Sequence, residues 1–451
     1  MNTKQKISSL ILSACIGCNL SIVNNVYANE NINSVSINQE QSINKNIPQE
    51  MVKITKTPTI KANFTIDKNV SIKLVDKNAT EKTKQLAIYL KSVANQDKII
   101  FGHQSDTSSH VRADLPANGS DVKDITGSLA AITGVDTLAI AGDSKFATTK
   151  ESLDHFANLS IEAAKQGSLI TVSTHFPNFS SKNIIKLSDG TYDFSKCGFS
   201  DCGDFTGSAK DILPGGQYND RYLAYIDMIA EYCLALQDKN IPILFRPFHE
   251  ATGSWFWWGG NNMTPYNYKR IYRYMVDQLQ ERGVHNLLYV YAPGTVKNEK
   301  EYLERYPGDD YVDVVAFDTY DVYYESPAYY RNDFFDMLDK NCQIVSKVGK
   351  DHNKISALAE VGCGVLKPDG SDSAGILKEN NPILGHNWYK KVGKIALKND
   401  MPYFLLWANF SPYNCYIPYK YNDDYGHELS DEFIEFYNWD KSVFANEVNF
   451  Y

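Results

Sequence analysis

The stretch Phe245-Arg-Pro-Phe-His-Glu-Ala-Thr-Gly-Ser-Trp-Phe-Trp-Trp-Gly-Gly260 brings an arginine, a histidine, a glutamate and three tryptophans together. An apolar run, Ile243 to Phe245, ends abruptly in Arg246, His249 and Glu250. A run of that length reads as a buried strand. A carboxyl just past such a strand, beside aromatic rings, suits acid/base work on a ligand that stacks on rings, such as a sugar. A second glutamate, Glu360, also follows an apolar run, Ile355 to Ala359. Two carboxyls are what cleavage of a glycosidic bond requires. One is protonated for the leaving oxygen and one is ionised at the anomeric carbon. The bland alternative for either glutamate alone is a buried, salt-bridged carboxylate.

The elements that would position these groups recur along the chain. Strand candidates are Ile99–Phe101, Leu138–Ala141, Leu169–Val172, Ile243–Phe245, Leu287–Tyr291, Val312–Phe317, Ile355–Ala359 and Phe404–Trp407. Amphipathic stretches lie between them, at 124–133, 151–166, 221–238, 266–282, 298–305, 331–350 and 385–398. A further helix precedes the first strand at about 80–95. Eight such units predict a (β/α)8 TIM barrel, an α/β fold, as a single catalytic domain. A doubly wound sheet is the alternative. In a barrel the strand ends converge at one mouth. Those ends carry His103, Asp143, His175, Arg246 with His249 and Glu250, Tyr291, Asp318 with Tyr320, Glu360, and Trp407 with Asn409. Two long loops, 176–219 and 361–384, would shape a cleft at that face.

Composition narrows the class of partner. The formal net charge is −9, with no basic block, which argues against nucleic acid. Thirty tyrosines among 13% aromatic residues suit a polysaccharide groove, or simply a large core. Residues 1–28 read as an export signal: Lys4 and Lys6, a mostly apolar Ile7 to Val23, then Val26-Tyr27-Ala28, with cleavage after Ala28. The rival is a lipobox at Leu12-Ser-Ala-Cys15, which would anchor a lipoprotein through Cys15. No other apolar stretch approaches 18 residues, so no membrane span is expected in the mature chain. Residues 29–69 are polar and aperiodic, a disordered or loosely packed leader. Residues 70–451 form the catalytic domain. Beyond the export signal, which holds Cys15 and Cys18, the six remaining cysteines form no C-x-x-C pair, so a structural zinc site is not expected. Cys197 and Cys202 could close a small loop disulfide.

Several blocks together resemble glycoside hydrolase family 26. They are Phe101-Gly-His-Gln104, Arg246-Pro-Phe-His-Glu250 with Trp255-Phe-Trp-Trp-Gly259, Val312-Asp-Val-Val-Ala-Phe-Asp-Thr-Tyr320, and Ala359-Glu-Val-Gly362. The resemblance spans about residues 75–445. It implies a retaining (β/α)8 enzyme, with Glu250 as acid/base and Glu360 as nucleophile. It implies that His175 and His249 hydrogen-bond the sugar or the carboxylates, and that His103 lines the glycone subsites. Tyr320 would steer Glu360, Arg246 would hold it ionised, and Asp318 would orient its neighbours. Trp255 and Trp407 would stack on pyranose rings, while Trp257 and Trp258 could equally be core. Most members are β-mannanases, so the resemblance implies an exported endo-β-1,4-mannanase acting on β-mannan polysaccharides and oligosaccharides. No metal or organic cofactor is implied, and a monomer is expected. A β-1,3-1,4-glucanase, a β-1,3-xylanase and a non-catalytic carbohydrate-binding protein remain as alternatives. One departure stands out. Some mannanases of the family place Arg directly after the eighth-strand tryptophan, whereas here Trp407 is followed by Ala408 and Asn409.

Overall fold

Eight parallel strands close on themselves in the computed structural model, which describes residues 51–61, 72–142, 146–204, 209–324, 333–366 and 372–451. They are β1 (Ile99–Gln104), β2 (Ile132–Asp136), β3 (Leu169–Ser173), β4 (Ile243–Arg246), β5 (Leu287–Tyr291), β6 (Val314–Tyr324), β7 (Ile355–Leu366) and β8 (Tyr403–Leu406). Each pairs in parallel with the next. β8 also pairs with β1, placing Leu406 beside His103. Closure leaves the barrel no free sheet edge.

Strand alternation sorts the side chains into two apolar layers. Ile100, Ile132, Leu169, Leu244, Leu288, Val314, Ala316, Ile355, Ala357 and Leu405 pack together inside the barrel. Phe101, Ile170, Val172, Ile243, Phe245, Tyr289, Val315, Phe317 and Leu358 face the surrounding helices. The period of two carries this sorting on to the polar strand ends. Leu244 points inward, so Arg246 does too. Ala316 points inward, so Asp318 does too. Helix α1 (Glu81–Asn95), which precedes β1, joins the inner layer through Leu86, Leu90 and Val93. Its start is fixed by Thr80, whose hydroxyl accepts the Thr83 amide at 3.2 Å.

β7 breaks the alternation at one place. Leu358 lies opposite Phe317, but Glu360 lies opposite Asp318, so an extra residue is inserted at Ala359. The ladder to β8 shifts at the same point. A bulge of this kind re-aims a side chain. Ala359 belongs to the inner layer and Val361 to the outer one. Without the insertion, Glu360 would face the helices.

The second strand corrects the sequence reading. Leu138–Ala141, expected as a strand, lies in helix α2 (Thr137–Ala141). The true strand, Ile132–Asp136, overlaps the helix expected at 124–133. A short apolar run has no period that separates helix from strand. The deciding signal is Asp136, whose carboxylate accepts the Leu138 amide at 2.9 Å and caps the helix. Asp136 therefore ends the second strand. Asp143, expected there, lies outside the described residues. The disulfide expectation also fails: Cys197 and Cys202 are free, buried thiols within the apolar cluster.

Part of the stretch read as a leader is fastened to the domain. Met51–Lys53 pairs antiparallel with Tyr425–His427. The amides of Thr55 and Lys56 donate to Asp431 at 2.9 and 3.0 Å. The Lys61 ammonium meets Glu447 at 3.0 Å, with both side chains almost wholly buried. Among the described residues no helix is long and apolar enough to cross a membrane.

The Lys61–Glu447 pair generates a stability test. Glu447→Ala removes the counter-charge of a buried ammonium that only Ser442 would still hold, frees the Phe444 amide, and should cost about 3–5 kcal/mol in urea unfolding. Replacing both residues with apolar ones of similar volume should recover most of that loss. Equal losses in the single and double variants would contradict the assignment.

Candidate active site

The turn after β4 holds two non-glycine residues at positive φ, Phe248 at 49° and Glu250 at 54°. Such backbone is strained and persists only where its surroundings over-determine it. Here every peptide is tied. The Phe248 amide donates to Thr174 Oγ1 at 3.3 Å, and its carbonyl accepts the Tyr268 hydroxyl at 2.9 Å. Its ring stacks on Phe176, with centroids 4.5 Å apart. The His249 carbonyl accepts Trp258 Nε1 at 2.8 Å. The Glu250 amide donates to the Ala292 carbonyl at 2.8 Å. Trp257 and Trp258 are buried, so of the two readings left open for them, core is the one observed.

Trp255 does something different. Its indole Nε1 donates to Glu250 Oε2 at 2.7 Å. The ring reaches back only because residue 253 is glycine: a Cβ there would fall 2.1 Å from the Trp255 ring. Burial, then the charge of Glu360, raises the Glu250 carboxyl to about 7, against the pull of the Trp255 hydrogen bond and of Arg246.

Arg246 joins β4, β6 and β7 across the barrel. One guanidinium nitrogen donates to Asp318 Oδ2 at 2.6 Å and another to Glu360 Oε2 at 2.5 Å. The Tyr320 hydroxyl donates to Glu360 Oε1. Both oxygens of Glu360 are thus held by fixed donors, and its carboxylate cannot rotate freely. Arg246, Asp318 and Glu360 are all buried. Burial, only partly offset by Arg246, raises Asp318. One guanidinium faces Asp318 and Glu360 directly and is felt at Glu250, so the site disfavours three simultaneous negative charges.

The histidines form a second network. His175 Nδ1 lies 2.8 Å from Asp136 Oδ2, and His175 Nε2 lies 3.2 Å from His249 Nε2. Trp407 and Phe199 pack on the His175 ring, with centroids at 5.8 and 5.1 Å. Burial, then Arg246 and His175, holds His249 well below the usual histidine range, so it is neutral.

Of the residues expected from sequence, Glu250, Glu360, Arg246, Asp318 and Tyr320 meet in one cluster. His175, His249, Trp255 and Trp407 flank it. His103 is engaged elsewhere: its Nδ1 lies 3.0 Å from Asp106, which Ser120 and the Ala130 amide also hold. Asn409, another strand-end residue, is a structural clip. Its side chain accepts the Tyr416 and Ile417 amides at 2.8 and 3.1 Å and donates to Asp121 at 2.8 Å. Sequence reasoning missed Asp136 and Phe199. The signal for Asp136 was its capping position after the β-branched Ile132-Thr-Gly-Val135. Phe199 comes from an irregular loop and carries no periodic signal.

Comparison with known proteins agrees with this geometry. Residues 75–366 match the sequence profile of Glycosyl hydrolase family 26. A mannan endo-1,4-beta-mannosidase of Bifidobacterium adolescentis is 31% identical over 398 residues, which are 84% of this chain and 36% of that protein. The chain thus spans about a third of that relative's length. The catalytic domain of a Bacillus sp. JAMB-750 GH26 endo-beta-1,4-mannanase superposes with a TM-score of 0.70 at 32% identity, covering 84% of this chain and 95% of that one. A modular endo-beta-1,4-mannanase from Cellulomonas fimi gives 0.70 at 31% identity, covering 84% and 79%. With Glu250 in the turn after the fourth strand of a closed barrel, Glu360 on the seventh and a profile match over most of its length, the chain belongs to glycosyl hydrolase family 26.

Proposed function

We propose that this chain is an exported, retaining endo-β-1,4-mannanase that hydrolyses mannan, glucomannan or galactomannan. The observation that carries this reading is the contrast between two buried glutamates. Glu250 sits under an indole with its carboxyl raised to about 7, and Glu360 is clamped between Arg246 and Tyr320. A proton donor and an oriented carboxylate are the two parts of double displacement. The names of the relatives above supply the mannan substrate. The amino-terminal pattern of Lys4, Lys6, an apolar core and Ala28 supplies export.

Glu360 attacks the anomeric carbon while Glu250 gives its proton to the departing glycosidic oxygen. The C1–O bond breaks and an ester to Glu360 forms. Glu250, now ionised, takes a proton from water, whose oxygen attacks C1 and releases Glu360. The electrostatics favour this exchange of roles. The Glu360 charge helps to raise Glu250. Esterification removes that charge, so Glu250 loses proton affinity once its proton has been given up to the leaving group. Trp255 and Trp407 are both partly exposed and offer ring faces to pyranoses.

The position after Trp407 carries no charge. Ala408 stands there, and the amide of Asn409 is occupied by the 416–417 backbone and Asp121. Recognition of a distal glycone sugar therefore rests on other groups in this chain.

The substrate is tested by assaying the purified protein on mannan and on lichenan. Release of manno-oligosaccharides is expected, and hydrolysis of lichenan alone would defeat the proposal. A second expectation comes from Glu250. As a proton donor raised to about 7, it should make kcat/KM fall as pH rises through that value. The Trp255 N–H stabilises the ionised form, so Trp255→Phe should move this basic limb to higher pH. A limb that stays in place, or moves down, would contradict the assignment.

A further inference from the structure

Asp136 is surrounded by donors. Its Oδ1 accepts the amides of Leu138 at 2.9 Å and His175 at 3.3 Å. Its Oδ2 accepts the Ser173 hydroxyl at 2.5 Å and His175 Nδ1 at 2.8 Å. An ionised carboxylate only accepts, so His175 carries a proton on Nδ1. When His175 is neutral, its Nε2 is a lone pair. The 3.2 Å contact to His249 Nε2 then requires His249 to donate. That leaves His249 Nδ1 without a proton. This atom is buried and has no hydrogen-bond partner in the structure.

We propose that Asp136 is a positioning residue that sets the tautomers of both histidines, so that His249 holds its proton on Nε2, beside His175, and keeps a lone pair on Nδ1, one residue from Glu250. The inference rests on reading Glu250 as the acid/base. Its physical content is a chain of fixed polarity, running from His249 through His175 to Asp136. Each ring is oriented by its neighbour, and His175 in turn packs against Trp407 and Phe199.

The surroundings of Asp136 allow a clean test. In Asp136→Asn, two backbone amides still point at the Oδ1 position, so the new carbonyl oxygen must stay there. The NH2 group is forced into the Oδ2 position, facing His175 Nδ1. His175 must then accept at Nδ1 and carry its proton on Nε2. His249 must accept at Nε2 and move its proton to Nδ1. Both tautomers invert while the backbone contacts remain. A wrong histidine tautomer slows catalysis even where geometry is kept.

The experiment is long-range proton–nitrogen NMR of the 15N-histidine-labelled protein at about pH 8, where an ordinary imidazole is neutral. Wild type should show His175 protonated on Nδ1 and His249 on Nε2. Asp136→Asn should show both reversed, with kcat/KM on mannan reduced on the order of 10–100-fold and a melting temperature close to wild type. A wild-type His249 protonated on Nδ1, or an Asp136→Asn protein with unchanged ring signatures, would overturn the proposal. Should the variant fail to fold, the wild-type spectrum decides alone. The spectra need no substrate, so failure of the mannanase reading would appear only in the kinetics.

Discussion

Arg246 is a single guanidinium placed where three carboxyls converge. It donates to Asp318 and Glu360 and is felt at Glu250. Burying a charge is costly unless it is paired and hydrogen-bonded. Here the pairing also shapes the chemistry. One positive charge cannot balance three negative ones, so the cluster favours keeping a proton; burial raises both Glu250 and Asp318, but Asp318 is hydrogen-bonded to the guanidinium. Asp318 takes one side of the guanidinium and turns its other side toward Glu360.

Two departures from regular backbone bring the partners to Arg246. The bulge at Ala359 turns Glu360 inward, opposite Asp318. The turn at Phe248 and Glu250 holds two residues at positive φ, each costing about 1–3 kcal/mol. Both are supported by ordinary packing and pairing. The stacked Phe176 and Phe248 rings, the Tyr268 hydroxyl and the Trp258 indole all bear on the turn. The three tryptophans therefore divide their work. Trp257 and Trp258 build the wall, and Trp255 reaches Glu250.

Much of this is legible in the chain itself. Seven of the eight strands can be read from apolar runs, and the glutamates that follow the fourth and seventh runs are conspicuous against them, although the seventh strand continues past Glu360 to Leu366. The inward direction of Arg246 and Asp318 comes from a period of two. The direction of Glu360 does not, because nothing in Ala357-Leu-Ala-Glu360 announces an inserted residue. The Leu138–Ala141 run misleads because four apolar residues fit either a strand or one helical turn. That ambiguity displaces the strand end and hides Asp136. Phe199 is invisible for another reason: its place beside His175 depends on a long irregular loop, which local spacing does not encode.

The central claim is that Glu360, oriented by Arg246 and Tyr320, is the nucleophile that bonds to the sugar. It is tested most directly by trapping. A 2-deoxy-2-fluoro-β-mannoside with a dinitrophenolate leaving group should form the ester faster than water can cleave it. Intact mass should rise by one fluorosugar, and peptide mapping should place the adduct on Glu360. An adduct on Glu250, or release of the leaving group with inversion at C1 and no adduct, would contradict the account.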